Sequence, residues 1–131
     1  MRRLKQSILG WVIVLFALSS QADDHPDASL YEFFQRHDSV MLLIDPSTGE
    51  INDVNPAAEA FYGYSRDTLQ TLSIHSLNTL TPAQVAEEMQ MAARQGRNYF
   101  VFRHVLADGD IRTVEVRSHP YQFDGRYACC R

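Results

Sequence analysis

Hydrophobic residues are distributed along the chain in three ways: one unbroken run over 8–18, helical spacings between 29 and 96, and strand-like runs at 40–54 and beyond 99. Ser29 and Glu32 have the capping-box spacing, in which each side chain satisfies a free amide of the other's residue, and Leu30, Phe33 and Phe34 follow on one side. The pattern predicts a short amphipathic helix ending near His37. Residues 40–44 are apolar without interruption until Asp45-Pro46-Ser47-Thr48-Gly49, which is turn chemistry, so they read as a strand covered on both faces with 50–54 as its hairpin partner. Asn55-Pro56 is a helix start, because Asn accepts from exposed amides and Pro lacks the amide that a first-turn residue would leave unpaired. That helix carries 57–62 and stops at Gly63. Ser65 caps another short helix with Leu69 and Leu72 inward, and 74–80 can form no more than one turn. Thr81-Pro82 opens the longest helix after residue 22, with Val85, Met89, Ala92 and Ala93 on one face and Gly96 at its end.

From Tyr99 the period changes to that of strands. Residues 99–106 and 111–116 flank Asp108-Gly109, a pair suited to a two-residue primed turn. With that turn, Ala107 pairs with Asp110, His104 faces Thr113 and Phe102 faces Glu115. Phe100, Phe102, His104 and Leu106 then share one face, and Val101, Arg103, Val105, Val114 and Val116 the other. Asp124-Gly125 turns the chain into a last strand at 127–130. The order predicts an α+β fold: a five-stranded antiparallel sheet with short helices inserted between strands 2 and 3, preceded by a short amphipathic helix.

Charge adds a targeting reading. Arg2, Arg3 and Lys5 precede the apolar run, no acid appears before Asp23, and Ser20-Gln21-Ala22 has small residues where a signal peptidase needs them. The run of 11 residues spans about 16 Å as a helix, against about 30 Å of hydrocarbon. Residues 1–22 therefore read as a signal peptide or an uncleaved signal anchor, and 23–29 as a linker. Either places the domain in the periplasm, free or anchored to the inner membrane facing it, with membrane contact only through that segment. Of the chain's 12 basic residues, three lie in this leader, leaving nine against all 16 acids and a net charge of −7. Such a domain repels phosphate backbones, which excludes nucleic acid as a partner. Two cysteines make no disulfide scaffold.

Gly49-Glu50-Ile51, Asp53-Val54-Asn55-Pro56-Ala57-Ala58, Gly63-Tyr64-Ser65, Asp108-Gly109 and Val114-Glu115-Val116, in this order and spacing, resemble the PAS sensor family over about residues 30–131. The resemblance implies a PAS-like sheet with a small-molecule pocket between it and the inserted helices, and pairing into homodimers through the N-terminal helix and sheet face. It also implies control of a diguanylate cyclase, a cyclic-di-nucleotide phosphodiesterase or a histidine kinase. No such output domain lies in these residues, and the last strand stops short of the family's usual junction, as expected of a sensory fragment of a longer protein or, the less favoured reading, of a product that lost its effector. The resemblance names no cofactor. A typical haem sensor would need a histidine on the long helix, where 81–95 has none, and a flavin photoadduct would need a cysteine where Ile74-His75-Ser76-Leu77-Asn78 stands.

No catalytic constellation appears. The five histidines show no metal-ligand spacing, Glu87 and Glu88 diverge on a helix, and Cys129 and Cys130 point to opposite faces of a strand. The reading is a non-enzymatic sensor whose candidate ligand residues are Phe61, His75, Asn78, Met89, Phe102 and His104, because a pocket needs a few polar groups amid aromatic walls. Leu30, Tyr31, Phe33 and Phe34 are the candidate dimer interface, since so much aromatic surface on a short helix needs cover. The alternative is a ligandless dimerisation module with an interior filled by its own side chains.

Overall fold

The computed structural model of the chain describes residues 10–12, 26–123 and 126–130, with side chains from 29 to 119. Chain order is β1 (Gly10–Val12), α1 (Pro26–Arg36), β2 (Leu42–Ile44), β3 (Ile51–Val54), α2 (Pro56–Tyr62), α3 (Arg66–Leu69), α4 (Ile74–Leu77), α5 (Pro82–Arg94), β4 (Phe100–Val105), β5 (Ile111–Val116), β6 (His119–Phe123) and β7 (Arg126–Cys130). Strands β2/β3, β4/β5 and β6/β7 are antiparallel pairs, and β7 also pairs with β2. The neighbours run β3-β2-β7-β6 and β1-β5-β4, with only Arg117 and Ser118 between β5 and β6. All four helices after α1 lie between β3 and β4, so the α+β architecture is the expected one.

The capping signals act where the sequence puts them. Asn55 Oδ1 accepts from Ala58 N, Gly63 ends α2 with a φ of 77°, and Ser65 Oγ accepts from Thr68 N. Thr81 and Gln84 form a complete capping box ahead of α5. In the β2–β3 turn, Asp45 Oδ1 accepts from the Ser47 hydroxyl and from the amides of Ser47 and Thr48, which hold its carboxyl below the usual range. Gly49 closes this turn at a φ of 77°, and a Cβ there would stand 2.8 Å from the His75 ring, so glycine is required for both conformation and space.

Four expectations change. α1 starts at Pro26, inside the span read as linker, so Ser29 lies within the helix instead of capping it. The β4–β5 loop holds three residues, with Leu106 N donating to Asp110 O, Gly109 N to Leu106 O, and Gly109 at a φ of 84°. Register therefore moves by one: His104 pairs with Arg112 and Phe102 with Val114. Val114 and Val116 turn inward with Phe102 instead of outward with Val101. A strand not read from sequence, β6, sits beside β7. Finally, Gly10–Val12 runs parallel to Val114–Val116. The rest of the leader read at 1–22, the turn at Asp124-Gly125 and the Cys129 and Cys130 side chains lie outside the described residues. Among the described residues no helix is long and apolar enough to cross a membrane.

The core gathers under the helices. Met41, Leu42, Ile44, Tyr62, Phe102 and Val114 are each no more than 2% exposed, and Phe34 of α1 joins the same cluster. On α5 only Val85 and Ala92 are buried. Met89 and Ala93, expected on the same stripe, face solvent, because a helix laid over a sheet edge buries a narrow stripe.

Candidate functional site

Strand β4 alternates cleanly: Phe102 and His104 point into the domain, while Val101 and Arg103 face solvent. The histidine face is thus the inner one. Ring centroids of Phe100 and Phe102 lie 5.9 Å apart, and those of Phe102 and His104 6.3 Å, forming a stacked aromatic row. Opposite it, Tyr62 at the end of α2 places its Oη 2.8 Å from His104 Nδ1, and both residues are fully buried. Phe61 meets Tyr62 edge to face at 5.0 Å.

Asn78 reaches the same row from the segment after α4, through a bridge to His104 and a Thr79 N to Arg103 O bond of 2.9 Å. Its Oδ1 accepts from Leu80 N, which orients the amide. Its Nδ2 is buried with no hydrogen-bond partner among the described residues. Of the six candidate ligand residues, then, Asn78, Phe102 and His104 converge, while Phe61 touches this group only through the Tyr62 ring. His75 instead packs against Gly49 at the β2–β3 turn, and Met89 is 38% exposed on α5. Tyr62 is the member that sequence reasoning missed. Ala58 and Tyr62 are the buried pair of α2 at helical spacing, a stripe that would have pointed to Tyr62 ahead of Phe61.

A second polar cluster lies on the β3 side. Arg66 grips Asp53 with two bonds, Nε to Oδ1 at 2.7 Å and Nη2 to Oδ2 at 2.9 Å. Tyr31 Oη of α1 accepts from Arg66 Nη2 at 2.8 Å and donates to Asp53 Oδ2 at 3.1 Å. Partial burial and the neighbouring carboxylate raise the Tyr31 pKa, so the phenol stays protonated and able to donate. The hydrogen bond to Asp53 likewise raises that of Arg66. Asp53 stands in the sequence only as part of the Asp53-to-Ala58 motif and Arg66 in none, and their pairing is not legible there because charged residues 13 positions apart carry no local signal.

The four candidate dimer residues divide around α1. Phe34 is 5% exposed and stacks with Tyr31 at 6.1 Å, both against the domain's own core. Leu30 is half-buried. Phe33 is 49% exposed, edge-on to His37, and lines an open groove with Glu32 and Arg36. Adjacent helical residues differ by about 100° in direction, so two neighbouring phenylalanines cannot serve one surface. Among the described residues no three His, Cys, Asp or Glu side chains are placed to hold a metal ion.

The sequence profile of the PAS fold matches residues 30–131. Over 97 residues, 71% of this chain, the sequence is 36% identical to diguanylate cyclase DgcM of Escherichia coli strain K12, and equally to DgcM of Escherichia coli O157:H7. The match covers 23% of each, so the chain spans about a quarter of the length of these curated relatives. The PAS domain of an HTR-like protein from Haloarcula marismortui superposes with a TM-score of 0.62 at 21% identity, covering 79% of this chain and 85% of that one. A PAS domain of a two-component sensor histidine kinase does so at 0.60 and 18%, covering 79% and 89%. At such identities the likeness is one of fold. Together with the sheet, the inserted helices and the profile match across residues 30–131, this places the chain in the PAS family of sensor domains.

Proposed function

We propose that this chain is the ligand-binding, dimerising sensory unit of a bacterial signalling protein, and that a small organic molecule is recognised at the inner face of β4. The observation that carries the reading is the buried polar set of Tyr62, His104 and Asn78 beside an aromatic row, a few polar groups in apolar surroundings. Similarity to DgcM supports a diguanylate cyclase as the regulated output, ahead of a phosphodiesterase or a histidine kinase. Ligand binding acts by differential affinity for two arrangements of the domain. A second reading, the ligandless module, draws on the near-complete burial of Met41, Leu42 and Phe102 by neighbouring side chains.

Native mass spectrometry of the full chain separates the two. The wild type is expected as a dimer carrying an organic molecule that dissociates on denaturation. Asn78→Leu, which removes the unpaired Nδ2 at similar volume, is expected to lower occupancy at least about tenfold. Phe33→Glu should give monomers that keep the molecule, because Phe33 is exposed and away from the inner face. Phe34 is unsuitable for this test, since its ring is part of the core. A wild type that never carries a small molecule supports the ligandless module, and a Phe33→Glu dimer removes α1 from the interface.

Export belongs to the same proposal, supported by the cationic start, the apolar run and Ser20-Gln21-Ala22. Alkaline phosphatase joined after residue 40 should be active in a bacterial host; an inactive fusion would place the domain in the cytoplasm.

A further inference from the structure

Tyr31, Asp53 and Arg66 come from α1, β3 and the first turn of α3, and their polar atoms close a ring of four hydrogen bonds. Its geometry leaves each partner one role. The phenol stands between a carboxylate, to which it can only donate, and a guanidinium, from which it can only accept. Asp53 also accepts at Oδ1 from Val54 N, so the carboxylate is held to its own strand. Arg66 N donates to the Glu59 carboxylate, which ties the start of α3 to α2. Each member of this ring is thus bonded to a residue of another element.

We propose that this ring is a latch coupling the seating of the N-terminal helix α1 to the β3/α3 side of the domain, with Tyr31 as the positioning residue between them. Two features make it a latch and not a general prop. Phe34 keeps α1 on the core through apolar burial, so opening the ring lets the helix pivot without unfolding the domain. The pairing is also partly wet: the Arg66 side chain is 43% exposed against 11% for Asp53. A half-solvated pair contributes modestly to stability, which leaves the closed and open forms close enough in free energy for a small perturbation to choose between them. Coupling of this kind is reciprocal, so a change at α3 must loosen α1 as much as a change at α1 loosens α3.

Hydrogen exchange followed by mass spectrometry on the full chain tests this from both ends. Tyr31→Phe keeps the ring stacked on Phe34 and removes only the hydroxyl. It is expected to speed exchange in 29–36 and 66–72 together, by roughly tenfold, while amides of β4 and β5 stay unchanged. Arg66→Lys keeps the charge but loses the two-pronged geometry. It should speed exchange in α1 by a similar factor, although residue 66 is outside that helix, and the double variant should be no faster than either single one. Unchanged α1 exchange in either single variant, acceleration spread evenly over β4 and β5, or effects that multiply in the double variant would each overturn the latch.

Discussion

Replacing Asn55 with alanine is expected to cost about 3–5 kcal/mol of unfolding free energy, a large share of the stability of a domain this size. An ordinary N-cap loss costs about 1 kcal/mol. The excess comes from the other half of the amide. Asn55 is fully buried, and its Oδ1 accepts from both Ala58 N and Met41 N while its Nδ2 donates to the carbonyls of His37 and Ser39. One side chain thus starts α2 and fastens the segment joining α1 to β2. Alanine leaves the Met41 amide and two carbonyls without their partner. Aspartate is the informative comparison, because it is as good a cap as asparagine. Its second oxygen would stand where Nδ2 now lies, at 2.8 Å and 3.0 Å from carbonyl oxygens, so Asn55→Asp should be nearly as damaging as alanine. Urea unfolding measures both; an aspartate variant of wild-type stability would reduce Asn55 to a cap.

His104→Ala is expected to cost about 3–4 kcal/mol, from the cavity beside Phe102 and the loss of the 2.8 Å hydrogen bond to Tyr62. Tyr62→Phe should cost less, about 1–2 kcal/mol, since it removes one hydroxyl and little volume. The decisive measurement is Tyr62→Phe combined with His104→Leu. Removing both polar partners at similar volume avoids a stranded donor or acceptor, so the double variant should fall short of the sum of the single losses by at least about 1 kcal/mol. Additive losses in denaturant titrations would mean that the 2.8 Å contact contributes nothing to the fold. A double variant that folds well yet carries no small molecule would also separate the structural use of this pair from its use in recognition.

Local chemistry was legible where one residue and its neighbours suffice. Asn55-Pro56, Ser65 and Thr81-Pro82 announced three helix starts, and Gly63 a stop, because caps and positive φ are decided within a few positions. Alternation sorted β4 into two largely apolar faces without saying which is inner; the polar requirement of a pocket only favoured the histidine face, and in the fold Phe102 and His104 are both buried. The strand opposite was placed wrongly by a single residue. Asp-Gly suits both a two-residue turn and a three-residue loop ending in a left-handed glycine, and one extra loop residue reverses every side chain that follows.

The β2/β3 and β4/β5 hairpins, the helices inserted between them and the caps Asn55, Ser65 and Thr81 were determined by the chain's own pattern, since hydrophobic period and turn chemistry act over distances that a sequence displays directly. Which side chains meet across the domain was decided only by tertiary structure. Tyr31 read as interface surface because aromatic residues on a helix need cover; the fold instead supplied Asp53 and Arg66, 22 and 35 positions away. Asn55 read as a cap, and the fold brought the carbonyls of His37 and Ser39 to its other end. Phe33 and Phe34 read as one patch until helix direction sent one to solvent and the other to the core. Hydrogen bonds and burial depend on position in three dimensions, and elements that are remote in sequence acquire positions only when the sheet and its helices close around a common core.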